Sequence, residues 1–235
     1  MAPLILRWCV MTQIIACSTH EGIVLATDSR ATWFDETGEM RHFNLKKLLR
    51  LGSHSAMLSA GAGIGVEMSL AFQNFLQRHG TEAIDDIVTM ALSFFTDQYG
   101  KWLGQRGMRY PSCPTGDEAD EASVPLNEVY LILAGYSLKD CAQPYALHLF
   151  SSEGERVSIK PVSTSQIIVV PRSLSIERRL EALREMGAPL DQLLSLCKFH
   201  LKKRSAEEEE VGPPFYFATI TSVGYHEILE EEVKE

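Results

Sequence analysis

Four stretches of this 235-residue chain hold side chains whose types could do chemistry together. They are Thr12-Gln13-Ile14-Ile15, Gly22 through Asp28-Ser29-Arg30-Ala31-Thr32, Lys46-Lys47, and Ala60-Gly61-Ala62-Gly63. A hydroxyl, a carboxylate, an ammonium and a glycine-lined backbone are the ingredients of nucleophilic attack on a carbonyl. Taken singly, each has a plainer explanation. Asp28-Ser29-Arg30 alone is a strand-end turn with a surface ion pair, and Lys46-Lys47 alone is a solvated strand edge. Gly61–Gly65 also follows a strand and opens a helix, as a phosphate loop does, but a dinucleotide fingerprint wants glycine where Val66 stands. No Lys-Ser or Lys-Thr pair follows it either. The seven His show no metal-ligand spacing, and Glu207–Glu210 is most simply a solvated helix end.

The elements that must position these residues are read from hydrophobic period. Gln13–Ser18 and Ile23–Thr27 are short apolar, β-branched runs around a His20-Glu21-Gly22 turn, a hairpin pattern. Glu36–Glu39 is a second turn, and strands are expected at Leu45–Leu51 and Ser55–Ala60. Met68 to Leu76 recur at helical spacing up to Gly80. Ile84 to Phe95 do the same, with Thr81 as the expected N-cap. A Pro- and acid-rich loop runs from about Gly104 to Pro125. Strands resume at Glu128–Ala134, Tyr145–Phe150 and Gln166–Val170. Helices are expected at Leu174–Glu185 and Leu190–Arg204, and a closing strand at Phe215–Ile220 before an acidic tail. Separated blocks of strands and helices imply an α+β fold, with an antiparallel sheet pair and helices layered outside it.

Composition bounds the rest. With 22 Lys+Arg against 31 Asp+Glu the net charge is −9, which argues against a dedicated nucleic-acid binder. No apolar run reaches the ~18 residues of a membrane span. Met1–Met11 lacks a basic n-region and a cleavage site, so it does not read as a signal peptide. Five Cys without a CxxC pair indicate neither a disulfide framework nor a zinc knuckle, and a reducing cytoplasm fits best.

The four stretches, in register from Thr12 to Leu76, resemble the β-type subunits of the proteasome family, including its ring-forming bacterial relatives. The element order extends the resemblance more loosely to Ile220. Asp28 follows Thr12 by the separation typical of that family, and Lys47 to Gly61 keeps its spacing, while the stretch between Asp28 and Lys47 is about three residues longer. The resemblance implies an N-terminal-nucleophile hydrolase with a four-layer αββα sandwich. Residues 1–11 would then be a propeptide or an alternative start, and residues 12–235 one domain. It implies no cofactor or metal, a protein or peptide substrate, a homo-oligomeric ring and an ATP-dependent unfoldase partner.

The chemistry suits these residues. A threonine hydroxyl needs a base, and an N-terminal threonine carries one in its own α-amine, which titrates near ~7.7–8.0 when unperturbed. An ammonium beside that amine disfavours a second positive charge, and a buried lysine needs a carboxylate partner. Thr12 as nucleophile, Lys47 as tuner and Asp28 as anchor meet these demands, and a glycine lets a backbone N–H approach an oxyanion closely. The resemblance gives that last role to Gly61, a bracing role to Arg30, and a specificity pocket to Ala31, Leu45, Leu49, Ser59 and Gly63. That pocket would suit an apolar side chain before the scissile bond.

Three positions depart from the family pattern. Met11 replaces the glycine that precedes the nucleophile, although initiation at Met11 and removal of that Met would expose Thr12 without self-cleavage. The supporting serine falls on Pro171, leaving Ser173 nearby. The later Asp and Ser of the network map onto Glu208 and Val211. A non-catalytic subunit of the same fold, and an N-terminal-nucleophile amidohydrolase acting on small amides, are therefore the alternatives.

Overall fold

A computed structural model describes residues 8–9, 12–34, 40–105, 128–152 and 158–228. In chain order the strands before the first helix are β1 (Trp8–Cys9), β2 (Ile14–Ser18), β3 (Ile23–Thr27), β4 (Arg30–Phe34), β5 (Met40–Asn44), β6 (Leu48–Gly52) and β7 (Ser55–Gly61). Helices α1 (Ile64–His79) and α2 (Ile84–Gln105) follow, then β8 (Val129–Tyr136), β9 (Tyr145–Ser151), β10 (Lys160–Val162) and β11 (Ile167–Val170). Helices α3 (Leu174–Glu185) and α4 (Leu190–Glu207) precede β12 (Tyr216–Thr221) and β13 (Gly224–Ile228). The fold is mixed α and β, and every strand pairing described is antiparallel.

Two five-stranded sheets form, in the orders β11-β2-β3-β12-β13 and β10-β9-β8-β7-β6, with a small third sheet β1-β4-β5. Every residue of β2 and β3 is buried, because both faces of that sheet are covered. Alternation divides the two faces. Ile14, Ala16, Ile23 and Leu25 meet Leu48, Ala56, Leu58 and Ile132 of the other large sheet. Ile15, Cys17, Val24 and Ala26 meet Ile176 and Leu180 of α3 and Leu193, Cys197 and Leu201 of α4. The second sheet turns Met57, Val129, Leu131 and Leu133 toward Met68, Phe72 and Leu76 of α1 and Ile87, Ala91 and Phe95 of α2.

The hairpin turn is closed by Thr19, whose hydroxyl oxygen accepts from the Glu21 and Gly22 N–H groups and donates to the Gly22 carbonyl. Gly80 ends α1 in the left-handed conformation, with φ 64°.

Several expectations need correction. Arg30–Phe34 and Met40–Asn44 form an unanticipated hairpin: Arg30-Ala31-Thr32-Trp33 alternates polar and apolar over only four residues, and the adjacent Arg41-His42 breaks the alternation of the second strand. Lys160–Val162 and Gly224–Ile228 are further unanticipated strands, so Tyr216–Thr221 is not the last. The helix after Gly80 begins at Ile84 rather than directly after Thr81, whose hydroxyl reaches the Met90 sulfur instead of capping. The Glu36–Glu39 turn, most of the Gly104–Pro125 loop and the acidic tail lie outside the described residues, and Gly104 itself belongs to α2.

Candidate active site

The β2–β3 register explains the separation of Thr12 from Asp28. Pairing Ile14 with Thr27 leaves Gln13 beside Asp28, so the residues just before β2 and just after β3 emerge together. The Asp28 N–H donates to the Gln13 carbonyl at 3.3 Å, and the Gln13 N–H donates back to Asp28 Oδ1 at 3.0 Å. Lys47 and Gly61 come from the facing sheet. Lys47 immediately precedes β6, its carbonyl accepts the Ser59 N–H at 3.1 Å, and Gly61 ends β7.

Lys47 spans the gap between the sheets. Its Nζ donates to both Asp28 oxygens at 3.1 Å and to the Arg30 carbonyl at 2.6 Å. An ammonium has three N–H donors, and all three are engaged. Asp28 Oδ2 also accepts the Arg30 N–H at 3.0 Å. The pair is enclosed, with Lys47 1% and Asp28 0% exposed. Burial is the largest influence on each partner: it raises the Asp28 carboxyl and lowers the Lys47 ammonium from their ordinary values. The attraction of each charge for the other opposes both shifts. With its donors committed, Lys47 can act on a neighbour through its field and not by taking a proton.

Thr12 completes the group. Its hydroxyl is buried and, among the described residues, has no hydrogen-bond partner. Thr12, Leu45, Lys47, Ser59, Gly61 and Gly63 line one small pocket, joined by Ala60, Ala62 and Val66. Its empty volume is about 210 Å³, part of which is open solvent. Gly61 has φ 85°, and a Cβ there would collide with the Glu128 carbonyl oxygen. The Ala62 N–H donates to that same carbonyl at 2.7 Å, so the chain leaves β7 along a path only glycine fits.

Arg30 braces the site from behind. Its Nη1 donates to the Glu209 carbonyl at 2.6 Å, and its guanidinium fills the space that a side chain at Gly212 would need. The Ser29 N–H donates to the Gly212 carbonyl at 3.2 Å. The 208–212 turn is thereby tied to the Asp28–Arg30 segment that links β3 to β4.

The remaining expected residues divide. Leu45 is on the pocket wall, its N–H held by the Ser29 carbonyl at 2.8 Å. Ala31 and Leu49 are buried in β4 and β6 but are not part of that wall. Ser173 precedes α3, and its hydroxyl pairs with Ser175 Oγ at 3.3 Å. Glu208 sits one turn beyond Arg204 at the end of α4, so its carboxylate folds back onto that guanidinium at 2.6 Å. Neither Ser173 nor Glu208 is brought to the pocket. Sequence reasoning missed Gln13, Glu209 and Gly212, which act mainly through backbone groups. Ala60, Ala62 and Val66, which the sequence placed in or beside the glycine-rich stretch without a site role, also line the pocket, and their apolar types carry no chemical signal.

No family model matches the chain, and no curated protein matches it. Among the described residues, no helix is long and apolar enough to cross a membrane, and no group of three or more His, Cys, Asp and Glu could hold a metal ion.

Proposed function

We propose that the chain is a threonine-type peptidase subunit, similar to the proteasome β-type subunits, that cleaves amide bonds through an acyl-enzyme on Thr12. The observation that carries this reading is the convergence around one pocket of a buried Thr12 hydroxyl, without a partner among the described residues, with Gly61 and with Lys47, which Asp28 holds from behind. Two sheets with helices on their outer faces suit the four-layer αββα sandwich of that class.

With residues 1–11 present the Thr12 nitrogen is a peptide amide and cannot accept a proton. A chain beginning at Thr12, by initiation at Met11 and Met removal or by processing, has a free α-amine there. The Lys47 ammonium then disfavours protonation of that amine, keeping it a base near neutral pH. The Thr12 hydroxyl oxygen attacks the substrate carbonyl carbon and its proton passes to the amine. Backbone N–H at Gly61 faces the oxyanion. Collapse breaks the C–N bond, the leaving amine takes the proton, and water then attacks the ester to restore Thr12.

The resemblance extends the proposal to a homo-oligomeric ring in the cytoplasm, supplied with unfolded protein by an ATP-driven partner. A second reading, a non-catalytic subunit, draws support from Ser173 and Glu208, whose side chains are engaged with Ser175 and Arg204.

Intact-mass analysis of protein expressed from Met1 and from Met11, followed by a peptide electrophile, separates the two. A mature chain starting at Thr12 that gains one adduct, absent in Thr12→Ala, supports the peptidase. Retention of upstream residues from both starts, or no adduct on a chain that does begin at Thr12, overturns it.

A further inference from the structure

The residue after Thr12 carries a side chain that the acyl-transfer chemistry does not use. Gln13 is 0% exposed, and among the described residues its Oε1 has no hydrogen-bond partner. Its Nε2 donates to the Val170 and Pro171 carbonyls, each at 3.4 Å. Those two contacts decide which end is nitrogen, because the reverse assignment would set three carbonyl oxygens against one another. The backbone is held as well, since the Gln13 N–H and carbonyl are both bonded to Asp28. The β11–β2 ladder ends at the Val170–Ile14 pair, so Gln13 lies beside Pro171 where the two strands part, one residue from Thr12.

A buried carboxamide oxygen without a donor is costly. A donor arrives when Thr12 becomes the first residue. A peptide nitrogen has one N–H, whereas a free amine has two and an ammonium three. The amine lone pair has to face the Thr12 hydroxyl, and its N–H groups then need acceptors elsewhere. Lys47 is a donor and cannot supply one. Of the neighbours expected from the sequence, Pro171 has no polar side chain, Ser173 pairs with Ser175, and Glu208 folds onto Arg204. Gln13 Oε1 is unengaged, buried and on the adjoining residue. The Nε2 bonds are long, which leaves the carboxamide room to settle onto the amine.

We propose that Gln13 is the positioning residue for the α-amine of Thr12: its Oε1 accepts one amine N–H and so turns the lone pair toward the Thr12 hydroxyl. This rests on the peptidase reading of Thr12. Gln13 exchanges no proton. The proton taken from the hydroxyl stays on the amine until the leaving group collects it.

The first comparison needs no activity. In the Thr12→Ala background, a chain started at Met11 and trimmed of that Met has a free amine at position 12, while a chain started at Met1 has a peptide amide there. Intact mass confirms both ends. Gln13→Met keeps the length and removes the acceptor. It should lower the melting temperature by about 2–4 °C more in the free-amine form, the scale of one net hydrogen bond in a chain of this size. The second comparison uses native Thr12, started at Met11, and a peptide vinyl sulfone. Gln13→Met should cut the limiting rate of adduct formation about tenfold, with the half-saturating probe concentration unchanged. Gln13→Glu keeps an oxygen acceptor and loses the Nε2 donor, so it should react faster than Gln13→Met. An equal melting loss in both forms, an unchanged limiting rate in Gln13→Met, or equal slowing in the two variants would reduce Gln13 to its contact with Val170 and Pro171. Any of these overturns the proposal and leaves the Thr12 reading standing. The melting difference without any adduct on native Thr12 would keep the bond from the amine to Gln13 and overturn the peptidase reading.

Discussion

Asp28 accepts hydrogen bonds from Lys47 Nζ at both its oxygens and from the Gln13 and Arg30 N–H groups, with the Gly212 backbone a further contact that favours its charged form, and it has no exposure to water. Removing either charge strands the other in the interior. Lys47→Ala and Asp28→Ala are each expected to cost about 3–5 kcal/mol, read as a lowered urea midpoint. Thr12→Ala should leave that midpoint nearly unchanged, because the deleted hydroxyl is itself unpartnered. The contrast separates a residue held for chemistry from residues that also hold the fold. Gly61→Ala meets two penalties, a positive φ and the Glu128 carbonyl. Loss of labelling at Thr12 together with a lower melting temperature is its expected signature, and an unimpaired Gly61→Ala protein would refute the tight path described for this turn.

At the scale of elements, α1 and α2 cover the outer face of the second large sheet, and the first turn of α1 also brings Val66 to the pocket. Phe72 packs its ring against Phe95 at 4.7 Å and Phe94 at 5.0 Å between centroids, and it is fully buried. Phe72→Ala should cost about 3–5 kcal/mol while the rate of Thr12 labelling in the surviving folded protein stays the same. Helix α4 brings a pH dependence. His200 lies in its buried face, and burial, then the Arg204 charge, lowers its pKa below the ordinary 6.5. The unfolded chain therefore binds a proton at a higher pH than the folded one does. His200 thus contributes stability that is present above pH 6.5 and is lost as the pH falls through the lower folded value. Melting temperatures taken from pH 7 downward should decline in this window, and the decline should be shallower in His200→Gln.

Across the whole molecule, what could be read from the sequence was what side chains announce. The apolar runs Ile14–Ser18 and Ile23–Thr27 and the helical period of Leu174–Glu185 survive with little change in bounds. The hairpin Arg30–Phe34 and Met40–Asn44 was not legible, because its strands carry charged and polar residues in the small sheet. At the site, Thr12, Lys47, Ser59, Gly61, Leu45 and Gly63 do meet at one pocket. Ser173 and Glu208 do not, since local partners one turn or less away outcompete it. Gln13 and Glu209 were invisible for a different reason: a backbone N–H and a backbone carbonyl do their bonding, and every residue type has both.

The enclosure of Lys47 has one more consequence. In the native protein, an amine-acylating reagent meets Lys46 and Lys101, whose side chains are 44% and 61% exposed, but Lys47 is shielded. Its modification would require the two facing sheets to come apart. The slow appearance of acyl-Lys47 in a time course would therefore clock how often this protein opens, with the surface lysines as an internal standard.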